Sequence, residues 1–193
     1  MLKYQDSESG LRSGVTRKIA AALAATALVS AAGVGVAQAS TASSAKTAAA
    51  LPTCSVTGLS ASLKQPLAGG MMHQGVVLQL KNTSGRTCAL LGFPGLGLEN
   101  AQHKPLTTHT TWGSTWYVAS PAKKVVELKS GQTAEAVIAW THANTGTPDA
   151  SHAAYLEVTP PASTAHKTLA FDNWVDGGSL DVTALAPHIT VTG

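Results

Sequence analysis

From residue 54 onward, apolar and polar positions alternate in short runs that turn residues interrupt. Val76, Leu78 and Leu80 alternate with Val77, Gln79 and Lys81, the period of a half-buried strand. Asn82-Thr83-Ser84-Gly85-Arg86 is a turn cluster, and residues 87–91 read as the returning partner of a hairpin. Residues 56–63 read as a first strand interrupted by Gly58. Gly92 and Gly95, around Phe93-Pro94, would let the chain change sheets while Phe93 enters the core. One short strand is expected within the Thr- and Trp-rich stretch 107–117, and another at 124–128. Ala134, Ala136, Ile138 and Trp140 form the apolar set of the next, although Val137 and Ala139 imply that its opposite face is also covered. Residues 155–158, 168–171, 180–183 and 189–192 complete the series. No helical repeat of useful length follows residue 40. The pattern therefore predicts an all-β protein, a two-sheet immunoglobulin-like β-sandwich of about eight or nine strands. Its shared core would be Leu80, Leu90, Ile138, Trp140, Leu156, Val158 and Phe171.

A different pattern precedes it. Residues 1–18 carry Lys3, Arg12, Arg17 and Lys18, residues 19–36 are uncharged, and Ala37-Gln38-Ala39 places small residues at a cleavage position. This is a Sec signal peptide, expected to be cut after Ala39. The uncharged run is Ala-rich and only 18 residues long, which makes it a poor permanent anchor, and no Cys stands where a lipoprotein would need one. Residues 40–50 hold only small and polar groups plus Lys46, a flexible linker with nothing to bury. The division is thus 1–39 signal, 40–50 linker and 51–193 sandwich domain, secreted and without stable membrane insertion after processing.

Charge changes meaning once the leader is set aside. The chain has 13 Lys+Arg against 10 Asp+Glu, and the leader holds four of the cations and two of the acids, which leaves a net of +1. A near-neutral surface lacks the basic footprint that nucleic acid requires. The two cysteines, Cys54 and Cys88, lie in the exported part, where an even pair is more often a structural disulfide than a metal or catalytic site. Closing their loop is worth roughly 3–4 kcal/mol by chain entropy.

Three of these segments carry more than propensity. Leu80-Lys-Asn82-Thr83-Ser84-Gly-Arg-Thr87-Cys88-Ala-Leu90-Leu-Gly92-Phe93-Pro94-Gly95 resembles a signature of the secreted actinobacterial family known as domain of unknown function 4232. Leu128-Lys-Ser-Gly131-Gln-Thr-Ala134 with Trp140, and Leu156-Glu-Val158-Thr-Pro160-Pro161, fit the same pattern in the same order. The resemblance covers residues 54–192. It implies an exported β-sandwich with Cys54 and Cys88 bonded, and no activity. The second cysteine pair of many members is missing here, since no Cys follows Cys88.

Candidate chemistry is sparse. Trp112, Trp116 and Tyr117, flanked by hydroxyls, are candidate ligand-binding residues for sugar rings or a protein partner; packing against the open end of the core is the competing role. Met71-Met72-His73 offers soft and imidazole donors that suit copper, with His103 and His109 as further donors, but shows no metal-ligand spacing. Ser120-Pro-Ala-Lys123 lacks the helix that an S-x-x-K serine needs, and there is no G-x-S-x-G. The acids Glu99, Glu127, Glu135, Glu157, Asp172, Asp176 and Asp181 read as surface groups. The expectation is a non-enzymatic extracellular binding module, without cofactor, whose partner is cell-wall polymer or an extracellular protein. Its alternatives are a copper-handling protein and a small secreted hydrolase.

Overall fold

The computed structural model describes residues 50–68 and 70–191, so the leader and nearly all of the linker lie outside it. Eleven strands form among the described residues: β1 (Leu59–Ala68), β2 (His73–Asn82), β3 (Cys88–Leu91), β4 (Gly95–Glu99), β5 (Pro105–Leu106), β6 (His109–Trp112), β7 (Val125–Leu128), β8 (Thr133–Thr141), β9 (Ala150–Thr159), β10 (Lys167–Asp176) and β11 (Ser179–Val182). They assemble into a five-stranded sheet β1-β2-β8-β11-β6, a four-stranded sheet β10-β9-β4-β5 and a two-stranded sheet β3-β7. All pairings are antiparallel except β11 with β6.

One core joins the three sheets. Val76, Leu78, Leu80, Ile138, Trp140 and Val182 come from the first, Leu98, Leu156, Val158 and Phe171 from the second, and Leu90, Val126 and Leu128 from the third. All seven core residues expected from the alternation are in it. Trp140 meets Phe171 edge-on at 4.8 Å, a favoured aromatic geometry. The inference that β8 is covered on both faces also holds. Val77, Val137 and Ala139 form a second cluster beneath Tyr117 and Ile189.

Several expectations are corrected. Residues 56–58 form a single 3-10 turn rather than strand, because the Ser55 side chain accepts from Gly58 N and caps it. Residues 87–91 do not return along β2. β2 is already paired on both edges, with β1 and β8, so β3 leaves to pair with β7. Asn82, fully buried, makes that departure: its amide donates to Arg86 O (2.7 Å) and Leu128 O (2.8 Å), and its oxygen accepts from Ser84 N (2.9 Å).

The chain does change sheets between β3 and β4, through Gly92 at φ +108°. Phe93, however, is only half-buried and stacks on Trp112 instead of entering the core. β9 and β10 run well beyond the expected 155–158 and 168–171. A bulge between Ala170 and Asn173, with Asp172 at φ +48°, shifts the register and breaks the period-two pattern. Residues 189–191 form no strand. They are an extended strap in which Ile189 N donates to Glu135 Oε2 at 3.0 Å.

Cys54 and Cys88 are bonded, with Cα atoms 4.9 Å apart. The bond fastens the segment preceding β1 to the start of β3, and backbone hydrogen bonds from Cys54 N to Ala89 O and from Ala89 N to Pro52 O run beside it. Among the described residues no helix is long and apolar enough to cross a membrane.

Candidate functional site

The three aromatics of the 107–117 stretch separate by local backbone geometry. Trp112 ends the edge strand β6, opposite Val182 of β11. Its indole is 62% exposed and lies nearly parallel to Phe93, with ring centres 5.8 Å apart. Beside it, Leu91 and Val125 are cross-strand partners on the outward side of β3–β7, and both are exposed, while Leu90 and Val126 point inward. Two shallow recesses of about 500 Å³ each share Leu91, Pro161 and Ala162. They join Leu51, Leu91, Val125, Phe93 and Trp112 into one apolar surface, on which Lys123 is the only charged lining residue among the described residues.

Trp116 faces a separate recess of about 240 Å³ that shares no lining residue with the first surface. It is 63% exposed and stacks on His73 at 3.9 Å, with Thr141, Asp176, Ser179 and Asp181 around it. Tyr117 is withdrawn from both surfaces. It is buried over Gly75, and its hydroxyl donates to Leu67 O at 3.1 Å, which pins the loop across the outer face of the five-stranded sheet. The aromatics thus offer two platforms and one anchor rather than a single rim.

Met71 and Met72 sit in the β1–β2 turn, both at positive φ, with Met71 the more exposed. His73 opens β2 beneath Trp116. His103 is engaged on the four-stranded sheet, where its ring stacks on Tyr155 at 4.0 Å. His109 opens β6, opposite Ser179.

Four histidines pair with carboxylates: His103 with Glu99 (2.7 Å), His152 with Asp172 (2.9 Å), His166 with Glu157 (3.2 Å) and His188 with Glu135 (2.9 Å). No serine hydroxyl hydrogen-bonds an imidazole among the described residues. The Glu135 pair is structural, because the same carboxylate also accepts from Gln79 and from Ile189 N and holds down the C-terminal strap.

Two of the pairs fuse into one group. Glu99 on β4 and Glu157 on β9 share the outward face of the four-stranded sheet, where Gly97 lies opposite Glu157 and Tyr155 opposite Glu99. A Cβ at position 97 would come within 2.6 Å of Glu157 Oε2, so glycine is what lets that carboxylate lie against β4. His166, just before β10, completes a set whose donor atoms from Glu99, Glu157 and His166 lie within 4.8 Å of one another. The hydrogen bond from His103 holds the Glu99 carboxyl below its ordinary range, while burial, and next the neighbouring Glu99, push Glu157 above it. Reading the sequence missed this set because its members are scattered over residues 99, 103, 157 and 166 and form no local motif.

Comparison with known proteins adds a family and nothing on chemistry. A family model described as "Domain of unknown function (DUF4232)" matches residues 54–186. Searches of curated proteins and of solved structures returned no match.

Proposed function

We propose, from the premise that this chain belongs to the DUF4232 family, that it is an exported, non-enzymatic binding module that docks a partner protein through its Trp112 face. The observation that carries this reading is the continuity of the exposed apolar surface, with Trp112 and Val125 each 62% exposed, Leu91 54% and Leu51 41%. Scattered single apolar residues are ordinary on a surface, whereas a joined patch marks an interaction site. A tryptophan backed by a parallel phenylalanine is preorganised, so little side-chain entropy is lost when a partner covers it. The shortage of polar groups around it favours a protein over a sugar.

Export by the Sec route, with cleavage after Ala39, belongs to the same proposal. The disulfide supports it, since such bonds persist in oxidising compartments. We read the layered sheets as an immunoglobulin-like sandwich, whose connections are the usual carriers of binding residues.

Affinity capture from culture-medium proteins on the immobilised chain tests the docking surface. Trp112→Ala should lose the captured protein by about tenfold or more, the cost of one central aromatic, at unchanged melting temperature. Trp116→Ala should retain it. Capture that is indifferent to Trp112→Ala, or no capture by the parent, rejects the surface.

A second reading rests on Trp116. An exposed indole bordered by Asp176, Asp181, Ser179 and Thr141 combines an apolar face with hydrogen-bonding groups, which suits a sugar ring of wall polymer. Sedimentation with purified wall that Trp116→Ala abolishes and Trp112→Ala leaves intact would favour it.

A further inference from the structure

We propose that Glu99, Glu157 and His166 form a site for a divalent first-row transition ion, with Zn²⁺ as its probe.

Two donors come from adjacent strands of one sheet, and the third from the residue that leads into the next strand. Glu99 is on β4, Glu157 on β9, and His166 immediately precedes β10. β9 pairs with both β4 and β10, so ladder hydrogen bonds set the spacing of Glu99 and Glu157, and His166 is held next to Lys167, the first residue of the β10 ladder. Zinc holds nitrogen and oxygen ligands at about 2.0–2.2 Å, which places tetrahedral ligand atoms about 3.3 Å apart. His166 Nε2 and Glu157 Oε1 are already 3.2 Å apart, and all three donors lie within 4.8 Å. Rotamer adjustment within that radius closes the set.

His103 has a different part. Its Nδ1 is 2.7 Å from Glu99 Oε2, too short for two ligands of one ion and right for a hydrogen bond that orients a ligating carboxylate. Stacking on Tyr155 fixes the ring in that pose.

Two separate His–Glu ion pairs are the competing explanation. They do not account for two carboxylates facing each other across adjacent strands, one with a side chain only 10% exposed. Like charges so placed are unfavourable unless a proton or a cation stands between them. The side chains of Glu157 and His166 remain 27% and 44% exposed, which leaves an entry path and room for a water as further ligand. An imidazole among the donors favours a transition ion over Mg²⁺ or Ca²⁺, which prefer larger all-oxygen sets.

The test is calorimetric titration of the purified, untagged chain, stripped with EDTA, with ZnCl₂ and in parallel with MgCl₂. One Zn²⁺ per chain is expected, with no heat from Mg²⁺. Glu157→Gln and His166→Ala should each weaken Zn²⁺ by about tenfold or more, in line with the loss that follows from disturbing a metal site. His166 is half exposed and outside the strand, so His166→Ala should keep the parent circular dichroism spectrum. Zn²⁺ should also raise the melting temperature of the parent and leave that of His166→Ala unmoved. Absence of Zn²⁺ uptake by the parent overturns the proposal, as does uptake that survives both substitutions, which would place the ion elsewhere, such as at the Met71-Met72-His73 turn.

Discussion

Asn82 shows how one side chain decides a topology. It is fully buried, yet both of its amide hydrogens and its oxygen are used: two backbone carbonyls accept from it, and Ser84 donates to it through both N and Oγ. Asn82→Ala strands the buried carbonyl of Leu128 and frees the turn, which should cost about 2–3 kcal/mol, measured by urea unfolding. Asn82→Asp keeps the acceptor and loses both donated bonds, so it should destabilise at least as much. The turn chemistry of Asn82-Thr83-Ser84-Gly85 was legible, because those groups bond within a few residues. The reach to Leu128 was not, since it crosses 46 positions. Phe93 and Tyr117 carry the same lesson in opposite directions. A phenylalanine expected in the core backs an exposed tryptophan, and a tyrosine proposed for binding anchors a loop.

At the scale of elements, the strands themselves were readable wherever alternation is regular. β2, β7, β8 and β11 lie close to their expected positions. Reading failed where regularity fails. The bulge at Asp172 truncated the expected β10, and residues 189–191, all β-branched, proved to be a strap with no ladder partner among the described residues. Pairing was less legible than existence, as the departure of β3 to β7 shows. That departure defines what the disulfide does. It ties the entry segment to a two-stranded sheet that pairs with no further strand among the described residues. Replacing both cysteines by alanine should lower unfolding free energy by about 3 kcal/mol, from the freed loop entropy. The measurement is the unfolding free energy from full denaturant curves with the slope fitted separately for each protein, and a loss below about 1 kcal/mol would mean that the backbone bridge alone holds the segment.

For the whole molecule, the export proposal predicts its own mature form. Intact mass of the secreted protein should correspond to a chain that starts at Ser40 with no free thiol. A full-length chain kept in the cytosol with both thiols alkylatable would reject it. What the sequence by itself determined was the set of local commitments: the β class, the seven core residues on regular strands and the half-buried faces. Each follows from side chains within a few positions, because burial on a pleated strand repeats every second residue. Only the tertiary structure decided which strands became neighbours, which tryptophan faces solvent, and that Glu99, His103, Glu157 and His166 meet. Those outcomes depend on register between distant segments, where closing the chain costs entropy that many pairings could offset, and only the packed whole selects among them.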